Sequence, residues 1–328
     1  HHPYLHSFPT RRSSDLYGPE VKKQRSFFSV ERWSNGRLAV GLMLTLSQVT
    51  PRWLGYLLID WVTRGLLCRR RSAMLQSIRA NQWVLSDGTL SPTELDRRVC
   101  QVLGFSGRAL FDHYHNLRAS RRVQRMVVLS ARLQALLAER QQARSGAVFV
   151  GPHTGAFDLA GLALAQMGLR LLVLSFPQPP SGYQLQNELR RLSGVEIVPF
   201  TVEALQRARQ WLQAGGTVLT GLDRPWPDAT YRPLFFGRPA SLPVTYIPLA
   251  LRNHVPVYVL WCLAQPDGTY VVDCSEPIWL RSYPDRETEI LSNAQVVLSI
   301  VEEVLRAHPE QWSMTYPVWP EVLEQLSL

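Results

Sequence analysis

Between residues 147 and 276, short apolar runs alternate with segments of helical pattern, and this alternation constrains the fold more than any other feature. Continuous apolar runs are typical of strands buried on both faces, and their alternation with helices is typical of parallel sheets. The sequence therefore predicts an α/β fold with a mostly parallel central sheet and flanking helices. The apolar runs are AVFVG, LRLLVLSF, VEIVPF, GTVLTGL, VPVYVLWCL and TYVVDCSE, and the helical segments cover residues 156–167, 182–193, 201–214 and 243–253.

The residues on either side of this region indicate further helices. Ser91, Pro92 and Glu94 form a predicted capping box at the start of one helix, and RMVVLSARLQALLAERQQARSG predicts a second helix that ends at Gly146. A long helix is expected over about residues 286–307. The turn AQPDGTY predicts a hairpin that Cys262 and Cys274 flank asymmetrically, so the two thiols should not face each other.

The segment Leu38–Leu67 is apolar but is interrupted at Pro51 and by charged residues, so neither half reaches the ~20 apolar residues of a spanning helix. It contains Trp53 and Trp61 and is followed directly by Arg69, Arg70 and Arg71. Apolar residues, tryptophans and then arginines are typical of a helix lying at a membrane interface on its cytosolic side. An amphipathic helix packed on the protein's own core is the alternative.

The chain begins with a segment that needs separate treatment. HSFPTRRSSDL, residues 6–16, matches one reading frame of a sequencing-library adapter, and we interpret residues 1–16 as an artefact of sequence assembly. We expect residues 17–72 to form a basic lead-in and a membrane-associated helical segment. Residues 73–328 then form one domain, with a helical part over 73–146 and an α/β catalytic part over 147–328.

The net charge of +9 comes mainly from arginine, since Lys22 and Lys23 are the only lysines. Arginine suits bidentate contacts to phosphate and carboxylate groups, although a compositional bias of the source genome gives the same pattern. The arginines are spread along the chain without a helix-turn-helix or an aromatic RNA-binding motif, so we expect no nucleic-acid partner.

The stretch GPHTGAFD places His153 at the end of a predicted strand and Asp158 in the first turn of the next helix. Ligands bind at such strand ends in α/β sheets, and an imidazole oriented by a carboxylate is a general base. The alternative is a structural pair, in which the histidine caps the helix and Asp158 offsets the helix dipole. No serine or cysteine nucleophile motif accompanies the pair, which favours direct activation of a substrate hydroxyl or of water.

Several further segments carry a family resemblance. GPHTGAFD resembles the H-x4-D/E block of glycerolipid-type acyltransferases. The surrounding sequence resembles the bacterial lipid A biosynthesis (lauroyl/myristoyl) acyltransferase family, including relatives that acylate phosphatidylinositol mannosides. The segments that carry the resemblance are RRRSAMLQSIRANQWVL, LRRLSGVEIVPF, GGTVLTGLDRP, PLFFGRPASLP, LALRNHVPVYVL and HPEQWSM.

The resemblance implies a glycerolipid-acyltransferase-like fold and an enzyme that transfers a fatty acyl chain from acyl-CoA or acyl carrier protein to a hydroxyl of a glycolipid. His153 is then the general base and Asp158 orients it. Arg190 or Arg191 binds a phosphate, unless they form a solvated helix face, and Asp223 and Arg224 contact a phosphate or hydroxyl at the same rim.

We expect the enzyme to act at the cytoplasmic face of the plasma (inner) membrane, with membrane lipids as partners and with neither a metal ion nor an organic cofactor. Two alternatives stay open. One is a lipid or thioester hydrolase that uses the same base, and the other is an inactive lipid-binding relative. Lipid A enzymes usually read Asn-Trp-Glu where this chain has Ala156-Phe157-Asp158, so the acceptor glycolipid stays open.

Overall fold

The computed structural model describes residues 37–67, 72–117, 119–175, 195–226 and 229–326, together with Gln184, Asn187, Glu188 and Arg191. Arg69, Arg70, Arg71 and Arg190 lie outside the described residues, as do residues 1–36 and most of the helix expected over 182–193.

A group of helices precedes the sheet. Pro51 separates the first two helices, as the sequence predicts, and a capping box formed by Ser91 and Glu94 begins the fourth. No described helix is both long and apolar enough to cross a bilayer. The helices are α1 (Arg37–Val49), α2 (Arg52–Leu67), α3 (Ala73–Leu85), α4 (Pro92–Asn116) and α5 (Ser120–Met126).

The remaining elements build the sheet and cover its two faces. They are β1 (Val127–Leu129), α6 (Ala131–Ala143), β2 (Ala147–Gly151), α7 (Phe157–Gln166), β3 (Leu171–Ser175), β4 (Glu196–Pro199), α8 (Val202–Gln213), β5 (Thr217–Gly221), β6 (Leu234–Phe235), β7 (Arg238–Pro239), α9 (Tyr246–Asn253), β8 (Val257–Ala264), β9 (Tyr270–Cys274), α10 (Arg286–Ala307), a 3-10 turn (Pro309–Gln311) and α11 (Pro320–Leu326).

The central sheet has seven strands in the order β1-β9-β8-β2-β5-β3-β4. Neighbouring strands from β8 through to β4 run parallel, and the one antiparallel pair among the described strands of this sheet, β8 with β9, is the hairpin expected at AQPDGTY. Cys262 pairs with Val272 and Cys274 with Leu260, so the two thiols are not opposite each other, as predicted. The mostly parallel sheet with flanking helices is confirmed.

The structure differs from the sequence interpretation in the helical part. Residues 127–129 form β1, which pairs with β9, so the helix expected over RMVVLSARLQALLAERQQARSG is divided. Ser130 caps the second piece by accepting a hydrogen bond from the amide of Leu133. Three apolar residues next to a sheet edge gain more from pairing with β9 than from continuing a helix, and a local pattern does not contain that information.

The FFGRPA segment forms a packing element. Phe235 is fully buried and stacks on Trp319, and Phe236 has a left-handed backbone conformation with φ of 50°. Glu302 of α10 accepts a hydrogen bond from the Phe236 amide at 2.7 Å and thereby supports this turn. The segment joins the C-terminal helices to the core of the α/β part.

Candidate functional site

The sheet register brings His153 and Asp223 together. β2 and β5 are parallel neighbours, and Gly151 at the end of β2 is aligned with Gly221 at the end of β5. His153 and Asp223 each follow two residues after these glycines, so both leave the sheet at the same height. The site therefore lies at the carboxyl ends of adjacent parallel strands, where ligands bind in open α/β sheets.

The two side chains are held by a short hydrogen bond. His153 Nδ1 lies 2.5 Å from Asp223 Oδ1, and the His153 amide donates to Asp223 Oδ2 at 2.8 Å. The Asp223 side chain is fully buried, whereas that of His153 is 24% exposed. Because an ionised carboxylate is only an acceptor, the Nδ1 proton lies toward Asp223, and Nε2 is the nitrogen available for proton transfer with a substrate.

The environment keeps Asp223 ionised despite its burial. Burial by itself would raise the pKa of this carboxyl. Attraction to the His153 imidazolium and hydrogen bonds from His153 and Trp312 outweigh burial and hold the pKa of Asp223 below its ordinary value. The carboxylate can therefore stabilise a positive charge on the imidazole ring during a reaction.

Small residues allow this arrangement. A Cβ at Gly221 would lie 2.9 Å from Cε1 of His153, so the glycine leaves room for the ring above β5. Gly155 has φ of 50°, and a Cβ there would lie 2.3 Å from the carbonyl oxygen of Cys262. Phe157 contacts the other side of the ring edge to face, with the two ring centroids 4.8 Å apart. These contacts leave the imidazole one orientation.

The HPEQWSM segment holds the same loop from the C-terminal side. Ser313 donates its amide proton to the His153 carbonyl at 2.8 Å, and Gly155 donates to the carbonyl of Gln311 at 3.1 Å. The Gln311 side chain bonds both the amide and the carbonyl of Ala264 at the end of β8. The indole N–H of Trp312 donates to Asp223 Oδ2 at 2.8 Å. We refer to residues 311–313 as the C-terminal strap.

A largely apolar cavity opens at His153, and its empty space together with the solvent at its open mouth measures about 1390 Å³. One wall is α7, through residues such as Ala160, Gly161 and Leu164, and the opposite wall is the face of the sheet that carries Val173 and Leu219. These two side chains are only half-buried, although both lie at the middle of inner strands. Such positions in parallel sheets are normally covered on both faces, so this apolar surface is free to receive a ligand.

The structure gives the predicted site residues different roles. The sequence interpretation assigned Asp158 to orient His153, but the carboxylate at Nδ1 belongs to Asp223, because the β2–β5 register places it there. Asp158 lines the cavity from the first turn of α7. Asp223 was expected to contact a substrate phosphate or hydroxyl, and its full burial beneath His153 and Trp312 excludes that role.

The two described arginines of the predicted site also differ from each other. Arg224 lines the cavity, where its guanidinium donates to the hydroxyl of Tyr316 at 2.8 Å. Arg191 donates through both Nε and a terminal nitrogen to the carbonyl of Ile197, the second residue of β4. Arg224 therefore faces the site, and the Arg191 guanidinium binds main chain.

Sequence reasoning missed Asp223 as the partner of His153 and gave no role to Gln311 or Trp312. One signal was present, because AVFVGPH and TVLTGLD place His153 and Asp223 at the same offset from the glycine that ends each strand. That signal becomes useful only when β2 and β5 are known to be neighbours. The strap had no such signal, since its contacts with Asp223 and with the His153 loop join residues at least 89 positions apart in sequence.

The geometry defines a class of protein: an α/β protein with a hydrogen-bonded histidine–carboxylate pair at the mouth of an apolar cavity. Comparison with known proteins then gives the family. The profile of the family described as bacterial lipid A biosynthesis acyltransferase matches residues 116–320, which is more than half of the chain. The chain belongs to this family.

Two curated relatives are phosphatidylinositol mannoside acyltransferases. That of Mycolicibacterium smegmatis is 24% identical over 182 residues, covering 53% of this chain and 57% of the relative. That of Mycobacterium tuberculosis is 25% identical over 182 residues, covering 53% of this chain and 54% of the relative. The chain thus spans little more than half the length of the curated relatives it matches.

One solved structure is weakly similar. It is the 1-acyl-sn-glycerophosphate (LPA) acyltransferase PlsC from Thermotoga maritima, at 17% identity and a TM-score of 0.35, covering 77% of this chain and 98% of that chain. A likeness at this level adds nothing to the family match.

Proposed function

We propose that the protein is an O-acyltransferase that moves a fatty acyl chain from an acyl thioester to a hydroxyl of a glycolipid. The observation that carries the proposal is the His153–Asp223 pair at the mouth of the apolar cavity. The family match and the phosphatidylinositol mannoside acyltransferase relatives support the same activity. The donor is acyl-CoA or acyl carrier protein, and the acceptor is a glycolipid.

The reaction needs only one base. His153 Nε2 removes the proton of the acceptor hydroxyl as its oxygen attacks the thioester carbonyl, and Asp223 stabilises the imidazolium that forms. When the tetrahedral intermediate collapses, the carbon–sulfur bond breaks, and the imidazolium returns the proton to the departing thiolate. An ester and a free thiol result, and His153 is again neutral.

The cavity supports an acyl chain as the group transferred. Its walls at Val173, Leu219 and Leu164 are aliphatic, and burying a methylene group against such walls contributes ~0.8 kcal/mol. Cys262 also lines the cavity, but burial raises the pKa of its thiol to about 12, so this thiol stays protonated at neutral pH. These features favour direct transfer over a thiolate acyl-enzyme.

The proposal is tested with purified protein, vesicles that contain a phosphatidylinositol mannoside or a lipid A precursor, and acyl-CoA or acyl carrier protein thioesters of several chain lengths. We expect mass spectrometry to detect the acylated glycolipid, and we expect His153→Ala to reduce turnover by ~10²–10⁴-fold without unfolding the protein. Free fatty acid as the only product would identify a hydrolase. Acyl-chain binding without turnover would identify a lipid-binding protein.

We further propose that α1 and α2 attach the enzyme to the cytoplasmic face of the plasma membrane. One side of α2 packs on α4, where Gly55 lies against Phe111 and the Arg52 guanidinium binds the buried Asp112 carboxylate. The opposite side exposes large apolar residues, and Trp53 and Trp61 are 71% and 75% exposed. Apolar side chains with exposed tryptophans fit the interfacial region of a bilayer. The exposed apolar residues of the two helices are Leu42, Met43, Leu46, Val49, Trp53, Leu57, Leu58, Trp61 and Val62.

Vesicle co-sedimentation tests the attachment. We expect Trp53→Ser together with Trp61→Ser to reduce the vesicle-bound fraction strongly. The matched control is Trp279→Ser, which removes a tryptophan that is 63% exposed elsewhere on the surface and should leave binding unchanged. Equal binding of the double variant and the wild-type protein would reject α1 and α2 as the membrane-binding face.

A further inference from the structure

Trp312 differs from the aromatic residues that pack around it because its indole N–H makes a hydrogen bond to the site. Its side chain is 1% exposed and packs edge to face on Phe235, while its indole N–H donates to Asp223 Oδ2 at 2.8 Å. The acceptor is itself fully buried. A hydrogen bond to an ionised group that is shielded from water is among the stronger ones that proteins make.

We infer that Trp312 is a positioning residue of the acyl-transfer site, which fixes the Asp223 carboxylate and, through it, the His153 imidazole. This inference rests on the proposed function for its meaning in catalysis. Trp312 does not face the reacting atoms, since the carboxylate lies between its indole and the imidazole.

The division of hydrogen bonds between the two carboxylate oxygens supports the inference. Oδ2 accepts the His153 amide and the Trp312 indole, whereas Oδ1 accepts His153 Nδ1. Two donors on Oδ2 prevent rotation of the carboxylate, so Oδ1 is held in line with the imidazole. Without the indole donor, a single main-chain bond would oppose that rotation.

The strap also positions the main chain of the histidine. Thr154 and Trp312 form an antiparallel bridge, and the Ser313 amide donates to the His153 carbonyl. One segment therefore locates both members of the pair, the histidine through its backbone and the aspartate through the indole. The contacts explain why the C-terminal segment is part of the site although it follows Asp223 by almost 90 residues.

The loss of the indole donor has a predictable effect on protonation. The donor spreads part of the Asp223 charge. In its absence the His153 amide and Nδ1 still keep the carboxylate beside the ring, so more of that charge acts on the imidazolium and the acid limb of the pH–rate profile should move to higher pH. The other titratable groups that line the cavity are His113 of α4, Asp158 of α7, Arg224 and Cys262. All four stay unchanged in the test, so a shift reports the missing donor.

The chain offers a matched control for Trp312→Phe. Trp319 is fully buried and stacks on the same Phe235 ring, but its indole nitrogen has no hydrogen-bond partner among the described residues. Trp319→Phe therefore removes the same ring atoms without removing a hydrogen bond to the site. The difference between the two variants isolates the indole donor from the effect of packing.

The test measures kcat/KM for acyl transfer between pH 5 and pH 9 and, without substrate, the titration of His153 by nuclear magnetic resonance. We expect Trp312→Phe to move the acid limb of the profile and the His153 titration to higher pH and to lower kcat by ~10-fold, with little change in the thioester KM. Trp319→Phe should shift neither pKa. If Trp312→Phe fails to fold, Trp312→benzothienylalanine keeps the ring shape and removes only the N–H.

The outcomes separate this inference from the proposed function. Equal shifts in the two variants, or no shift of the His153 titration in Trp312→Phe, would overturn the positioning role. A wild-type protein that transfers no acyl chain, but whose His153 titration still shifts in Trp312→Phe alone, would retain the positioning role and reject the proposed reaction.

Discussion

Asp223→Asn is the substitution that most directly separates the two carboxylates near His153. An asparagine fits the same space, and its carbonyl oxygen can still accept the His153 amide and the Trp312 indole. Its NH₂ group then faces His153 Nδ1 and needs an acceptor there. The imidazole proton therefore moves to Nε2, which can no longer take a proton from the acceptor hydroxyl.

The magnitude follows from this geometry. With the wrong tautomer and no charge to stabilise the imidazolium, we expect turnover to fall by ~10²–10⁴-fold, the range typical of lost general-base catalysis. Stability should fall by only about 1.5–3 kcal/mol, because the negative charge that strengthens these hydrogen bonds is lost while the bonds themselves can still form. The double variant with His153→Ala should be little slower than His153→Ala alone, since the two residues act as a unit.

The assay follows thiol release from the acyl thioester in the presence of acceptor glycolipid, with urea unfolding as a measure of stability. Asp158→Asn is the matched control. It removes a carboxylate charge that lines the same cavity and leaves the hydrogen bond between His153 Nδ1 and Asp223 in place. We expect its loss of activity to be the smaller. If Asp158→Asn loses activity by ~10²-fold or more while Asp223→Asn stays within ~3-fold of the wild-type protein, the assignment of Asp223 is refuted.

Two further predictions concern the cavity and the buried Asp112 carboxylate, which binds both Arg52 of α2 and the hydroxyl of Tyr270. Gly161 lines the cavity, and a Cβ there would contact nothing within 4 Å, so a leucine side chain at this position should occupy cavity space. We expect Gly161→Leu to reduce the transfer of long acyl chains by ~10-fold or more for each methylene that no longer fits. Short chains should still be transferred. Gly65→Leu, also without neighbours within 4 Å, is the control in a chain-length series, and equal profiles for the two variants would contradict the cavity assignment. Burial, together with the Asp112 carboxylate, raises the pKa of Tyr270, so deprotonation above pH 10 favours the unfolded chain and stability falls as the pH rises. Urea titrations from pH 8 to pH 11 should show a shallower decline for Tyr270→Phe, by up to about 1.4 kcal/mol per pH unit, and parallel declines would contradict this reasoning.

The apolar segment Leu38–Leu67 illustrates how sequence and structure contribute differently. The sequence predicts an interrupted apolar segment, and the two helices separated at Pro51 confirm it. The sequence left open whether this segment packs on the protein or faces a membrane. In the structure one side of α2 packs on α4, through Gly55 and the Arg52–Asp112 ion pair, and the other side is exposed. The packed side fits the alternative of a helix on the protein's own core, and the exposed side is the one that the proposed membrane attachment would use.

The local sequence pattern was sufficient to predict most helices and strands and to place His153 at the end of a strand. Apolar runs of five residues between helical segments predict β2 and β5, because burial on both faces requires such runs, and the glycines that end them mark the strand ends. The position of His153 at a strand end was evident for the same reason. Local pattern failed at β1, because a strand of three residues is formed only through its partner β9.

The sequence by itself determined the α/β fold, the place of His153 at a strand end and the family resemblance, since each depends on residues that are close together along the chain. The tertiary structure alone decided which carboxylate binds Nδ1 of His153. Asp158 is near His153 in sequence, but the parallel register of β2 and β5 places Asp223 at Nδ1, and the strap adds Trp312 from the far end of the fold. Strand order and the return of the C-terminal segment are set by burial of the whole core, so the equal offsets of His153 and Asp223 from their glycines could not by themselves reveal this pairing.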